Sequence, residues 1–168
     1  MGLDIMFYET DNQNYVKEFI DYLDKDCNAE FDYGEELCYF RKKNCLVSWA
    51  DRTVGIDKDC VVSNPIDKSN IETLLKTIDD ILALVPSDDL KTIEKGCHNY
   101  EDNPYWDGLP MEVAMTAEKK LPTTSGFFFG NTCYDTTYVW QLLEIKEKFA
   151  EVIKKMKPTK YYHLVFSW

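Results

Sequence analysis

The chain has 168 residues, 45% of them hydrophobic and 14% aromatic, with a formal net charge of -11. Such a hydrophobic content excludes a disordered chain, and the acidic balance disfavours direct binding to bulk DNA or RNA backbone, which requires clustered Lys and Arg. The charge is uneven: residues 1–40 hold eleven acids against Lys17 and Lys25, a balance of -9 that leaves -2 for the other 128 residues.

Leu3, Ile5 and Phe7 alternate with Asp4, Met6 and Tyr8, which predicts a strand over residues 3–8. Tyr15, Val16, Phe19, Ile20, Tyr22 and Leu23 then recur as one face of an amphipathic helix with acids on its open side. Residues 28–35 read as a polar loop. The stripe Leu37, Phe40, Asn44 and Val47 predicts a second helix over 36–51. Residues 54–64, broken by Gly55 and by acids, read as loop with a short strand at most. Ile71, Leu74, Leu75, Ile78, Ile81 and Leu82 define a third helix, capped by Ser69 or Asn70 and ended by Pro86. Ser87, Asp88 and Asp89 open a shorter helix that runs to Lys95, with Gly96 closing it.

Residues 97–109 form a predicted loop that is unusual in carrying Tyr100, Tyr105 and Trp106. Pro110 suits the first turn of a helix over 111–121, which Pro122 ends. The glycine-bracketed block GFFFG, residues 126–130, comes next. Asp135 or Thr136 caps the longest helix, whose Val139, Leu142, Leu143, Phe149, Val152, Ile153 and Met156 repeat at helical spacing until Pro158. The closing octapeptide YYHLVFSW is β-rich. The expected fold is α+β: a mainly helical single domain over 1–168, with a small sheet that includes the N- and C-terminal strands.

Catalytic signals are poor. Cys97 and His98 are adjacent, which does not make a dyad, and no spacing of His, Asp or Glu isolates a metal site. The six cysteines are scattered without a C-x-x-C pair, so structural zinc is not expected. No cofactor motif occurs: the 126–130 block matches neither a phosphate loop nor a dinucleotide fingerprint. The start MGLDIMFYET has no basic n-region and no window reaches the length of a membrane span. A cytoplasmic protein with reduced thiols, and no membrane partner, is therefore expected.

Two stretches point to binding. YFRKKNCLVSW, residues 39–49, sets Arg41 and Lys42 beside aromatic Tyr39 and Trp49 with Asn44 one turn along, a pattern suited to a phosphate or a base edge. Phe127, Phe128 and Phe129, followed by Tyr134, could form a stacking wall, with Tyr105 and Trp106 as the opposite wall. A solvated basic helix face and an aromatic core are the plainer readings of the same residues.

Taken together, the MGLD opening, Tyr39–Arg41–Lys42–Asn44–Leu46–Trp49, the 126–130 block with Tyr134 and Asp135, and the final Ser167–Trp168 resemble a largely uncharacterised family of small proteins from bacteriophages, prophages and bacteria. The likeness spans the chain. It departs at Val47, where relatives often carry a histidine. It implies a phage or prophage origin and action in the host cytoplasm, and names no substrate. For such a protein the leading expectation is a binder that sequesters a nucleotide-derived signal of bacterial immunity, with Tyr39, Arg41, Lys42, Asn44, Trp49, Tyr105, Trp106, Phe127, Phe128, Phe129 and Tyr134 as its site. The alternatives are an acidic inhibitor that imitates nucleic acid toward a defence nuclease, and a nucleotide-processing enzyme. Self-association is left open.

Overall fold

The computed structural model describes residues 2–24, 31–57, 61–94, 109–126 and 129–168. Three strands form an antiparallel sheet of order β2-β1-β3: β1 is Asp4–Thr10, β2 is Glu35–Arg41 and β3 is Tyr161–Ser167. The two termini thus meet, Ile5 opposite Phe166 and Phe7 opposite Leu164. The helices are α1 (Tyr15–Leu23), α2 (Cys45–Thr53), α3 (Lys68–Leu82), α4 (Ser87–Glu94), α5 (Met111–Lys120) and α6 (Thr136–Lys155). The fold is α+β and mainly helical, with both terminal strands in the one sheet.

Strand alternation divides the sheet into two buried faces. Ile5, Phe7, Phe40, Leu164 and Phe166 point into the main core, where they meet α2, α3 and α6. Phe149 of α6 packs edge-on to Phe7 and tilted against Phe40 and Trp49. Met6, Tyr8 and Val165 face the other way, toward Tyr15 and Phe19 of α1 and toward Phe31 and Tyr33. The segment at 61–66 runs along the outer side of β3, through bonds such as Ser63 N–H to Leu164 O and Phe166 N–H to Val61 O. Consequently β2 is the sheet edge that no other strand of the described residues covers.

The expected helix over 36–51 is a strand, a turn and a shorter helix. Residues 35–41 pair with β1, with Leu37 as the extra residue of a bulge opposite Phe7 and Tyr8. The apolar run that fits a helical stripe also fits period two, and over so few residues pairing with β1 decides. Lys42 then adopts φ 56°, a left-handed conformation that ends the strand and lets α2 start after Asn44.

Other helix ends follow the local chemistry closely. The cap of α3 is Asp67 rather than Ser69 or Asn70: its carboxylate accepts from Asn70 N–H at 2.8 Å, and the Asn70 side chain accepts from Asp67 N–H at 2.9 Å. Asp135 caps α6 by accepting from Tyr138 N–H at 3.1 Å. The expectations for 95–108, and the 28–30 part of the polar loop, lie outside the described residues.

Candidate functional site

The end of β2, the turn after it and the middle of α6 border a groove of about 340 Å³, lined by Tyr39, Arg41, Lys42, Lys43, Trp140, Gln141, Glu144 and Lys148. Its α6 side follows from helical spacing: Gln141, Glu144 and Lys148 stand three and four residues apart and so share a face. Its β2 side depends on the left-handed Lys42, which turns the chain so that three consecutive basic residues reach the groove.

Lys43 is buried, with its ammonium 2.7 Å from Glu144 Oε2 and 4.3 Å from the centre of the Trp140 ring. Lys148 takes the other oxygen, Glu144 Oε1, at 2.7 Å, and donates to the Tyr39 carbonyl at 2.8 Å. Burial pushes the Glu144 carboxyl up, but hydrogen bonds from Lys148 and Lys43 outweigh it and hold the group below its ordinary value. With both carboxylate oxygens engaged, one negative charge is shared by two ammonium groups. Arg41 and Lys42 add two exposed cations, so the lining holds four positive side chains against one carboxylate in a chain of net charge -11.

At the rim, Asp4 accepts from the Tyr39 hydroxyl and lies 3.3 Å from the Arg41 guanidinium. The bond to Asp4 pushes the Tyr39 phenol up, which keeps it neutral. The hydrogen bond that Arg41 donates to the Tyr39 oxygen and the charge of Asp4 raise the Arg41 pKa.

Of the residues singled out from sequence, Tyr39, Arg41 and Lys42 gather at this groove. Asn44 lies just behind it. It is fully buried, and its amide donates to the carbonyls of Phe129 (3.3 Å) and Asn131 (3.0 Å). The same segment touches the turn through Gly130, at φ 93°, where a Cβ would sit 3.4 Å from the Lys42 Cβ. The end of the aromatic block therefore braces the basic turn. Phe129 itself is buried, its ring against Gly126 and edge-on to Trp168. Trp49 lies in the core on Phe149, and Tyr134 packs on Tyr138 while its hydroxyl accepts from Thr123 N–H. Tyr105, Trp106, Phe127 and Phe128 lie outside the described residues.

Sequence reasoning missed Lys43, Trp140, Gln141, Glu144 and Lys148. The signal was present in the long helix, where Gln141, Glu144 and Lys148 stand at three- and four-residue spacing beside Trp140. It carried no meaning until β2 supplied the opposite wall. A larger depression of about 410 Å³ between α1 and Asn64–Pro65 has one lysine, one aspartate and no aromatic ring on its walls, a weaker set for holding an anion.

Comparisons with protein-family models, curated proteins and solved structures find nothing that matches this chain. Among the described residues no helix is long and apolar enough to cross a membrane, and no group of His, Cys, Asp and Glu is placed to hold a metal ion.

Proposed function

We propose that the groove between β2 and α6 binds a small, planar, anionic molecule of the nucleotide type, and that the protein acts by sequestering it. The observation that carries this reading is the convergence of Arg41, Lys42, Lys43 and Lys148 with the rings of Tyr39 and Trp140 in a strongly acidic chain. Clustered cations hold phosphate, and apolar ring walls take a base. A volume of about 340 Å³ suits one nucleotide-sized ligand. Together with the likeness to phage and prophage proteins, this reading makes the ligand a nucleotide-derived signal of bacterial immunity. Calorimetry with cyclic nucleotides and cyclic ADP-ribose isomers tests it, since a sponge binds one of them stoichiometrically and returns it unchanged. Turnover of the bound molecule would favour the enzyme alternative.

A second reading rests on a different surface. Glu18 and Asp21 of α1 and Asp24 at its C-terminal end, with Asp32, Glu35 and Glu36, are exposed acids of the N-terminal region. They suit a basic protein partner, as an inhibitor imitating nucleic acid would require. Capture of a purified defence nuclease that is lost when Glu18, Asp21 and Asp24 are changed to Lys, and retained in Arg41→Ala, would favour this reading over the groove.

A further inference from the structure

β2 is an outer strand of the sheet, and Lys42 N–H continues its pairing with β1 by donating to the Leu3 carbonyl. Backbone groups alternate along an antiparallel strand, so Phe40 turns its own toward β1 while Tyr39 and Arg41 turn theirs away. Among the described residues no backbone group of another segment bonds to that outward row. One side chain reaches it: Lys148 donates to the Tyr39 carbonyl at 2.8 Å. A seven-residue strand left open in this way is a template for another strand, and folds normally cover or blunt such an edge. Near its middle Tyr39 is 38% exposed, a large ring with one side in solvent.

Charge decides which strand fits. Glu35 and Glu36 open β2, and Lys42 follows its last residue. All three are exposed, and none forms an ion pair among the described residues. Arg41, the other cation at that end, has Asp4 at 3.3 Å. The edge therefore carries uncompensated negative charge at its start and uncompensated positive charge just past its end. A strand with this gradient is complementary to itself when two copies run antiparallel.

We propose that β2 is the interface with a second copy of this chain, the two strands pairing antiparallel about a twofold axis at Tyr39. In that register Tyr39 meets the partner's Tyr39, and Glu36 comes level with the partner's Lys42 in both halves. The two three-stranded sheets then join edge to edge. Lys148 has to release the Tyr39 carbonyl, and it keeps its 2.7 Å pair with Glu144 when it does. Tyr39, Lys42 and Lys148 also line the groove, so pairing covers part of it and an anion held there favours the monomer. The interface itself does not rest on any ligand reading.

The test is sedimentation equilibrium of the whole chain, with reductant to keep Cys38 a thiol and with no nucleotide present. Wild type is expected to form a dimer at submillimolar concentration, and a weaker one at high salt, where the charge pairs are screened. Glu36→Lys and Lys42→Asp should each weaken it about tenfold or more, since each turns two symmetry-related attractions into repulsions. Aspartate is chosen at 42 because it tolerates the left-handed backbone. Mixed in equal amounts, the two variants should recover the dimer, because each supplies the charge that the other lacks. A wild type that stays monomeric would overturn the proposal and leave the edge to a strand of some other protein. A dimer that keeps its affinity in both variants would overturn it as well, by placing the interface elsewhere. Either failure leaves the anion-binding reading of the groove standing.

Discussion

Lys43 and Glu144 form an ion pair of 2.7 Å whose lysine side chain is 5% exposed, although one residue follows the edge strand and the other lies in the middle of α6. The pair fixes the width of the groove, and Lys148 closes it on the same carboxylate. Replacing Lys43 with Met removes a buried charge and leaves Glu144 with Lys148. The loss of stability should be about 2–3 kcal/mol, below the full penalty for stranding a buried ion. Urea denaturation of Lys43→Met measures it, and an unchanged midpoint would show the pair to be incidental.

The carboxyl of Glu144 is held below its ordinary 4.5 by these partners, so its contribution to stability is complete above pH 4.5 and is lost as pH falls through the lowered value. The pH dependence of Lys43→Met should be shallower than that of wild type below pH 4.5, seen by comparing denaturation curves at pH 3 to 6.

Asn44 joins the basic turn to the end of the aromatic block by two bonds to backbone carbonyls. Asn44→Ala leaves both carbonyls without that donor and should cost about 1–3 kcal/mol. Hydrogen exchange should show faster exchange at 129–131 and at the start of α2. Loss of ligand affinity without this loosening would instead make Asn44 a direct reader, as its spacing in sequence suggested.

The terminal strands, the amphipathic α1, the capped α6 and the apolar stripe of α3 were legible because period and capping chemistry act within short windows. The strand at 35–41 was not. Its residues satisfy a helical stripe equally well, and only the long-range partner β1, some thirty residues earlier, tips the balance. The same limit hid half of the groove. Arg41 and Lys42 stand out beside aromatics in sequence, whereas Gln141, Glu144 and Lys148 look like an ordinary polar helix face until Lys43 is brought against them.

His163 is buried between β3 and α1. Its ring stacks on Tyr15 with centres 4.7 Å apart, and Nε2 lacks a hydrogen-bond partner. Burial lowers its pKa from the ordinary 6.5, opposed by the bond to the Ser63 carbonyl. The unfolded chain therefore takes up a proton first as pH falls, and stability that is complete above pH 6.5 declines below it. His163→Phe should lose this dependence between pH 7 and 5, read from thermal midpoints. A slope identical to that of wild type would contradict it.

Lys42 combines a left-handed backbone with a cationic side chain, and the two can be separated. Asparagine tolerates the same conformation, so Lys42→Asn should keep stability within about 0.5 kcal/mol while weakening anion binding. Equal affinity in this variant at low salt, where screening is least, would remove Lys42 from the site.

The central claim is that Arg41 and its neighbours hold an anionic ligand in the β2–α6 groove. Calorimetric titration of wild type and Arg41→Ala with AMP, cyclic nucleotides and cyclic ADP-ribose isomers tests it most directly. The exposed guanidinium contributes little to the fold, so the variant should melt with wild type while binding its ligand more weakly by about 1.5–3 kcal/mol, the loss of one charge-assisted hydrogen bond. Equal affinity in the two proteins, or no heat with any of these compounds, would contradict the claim.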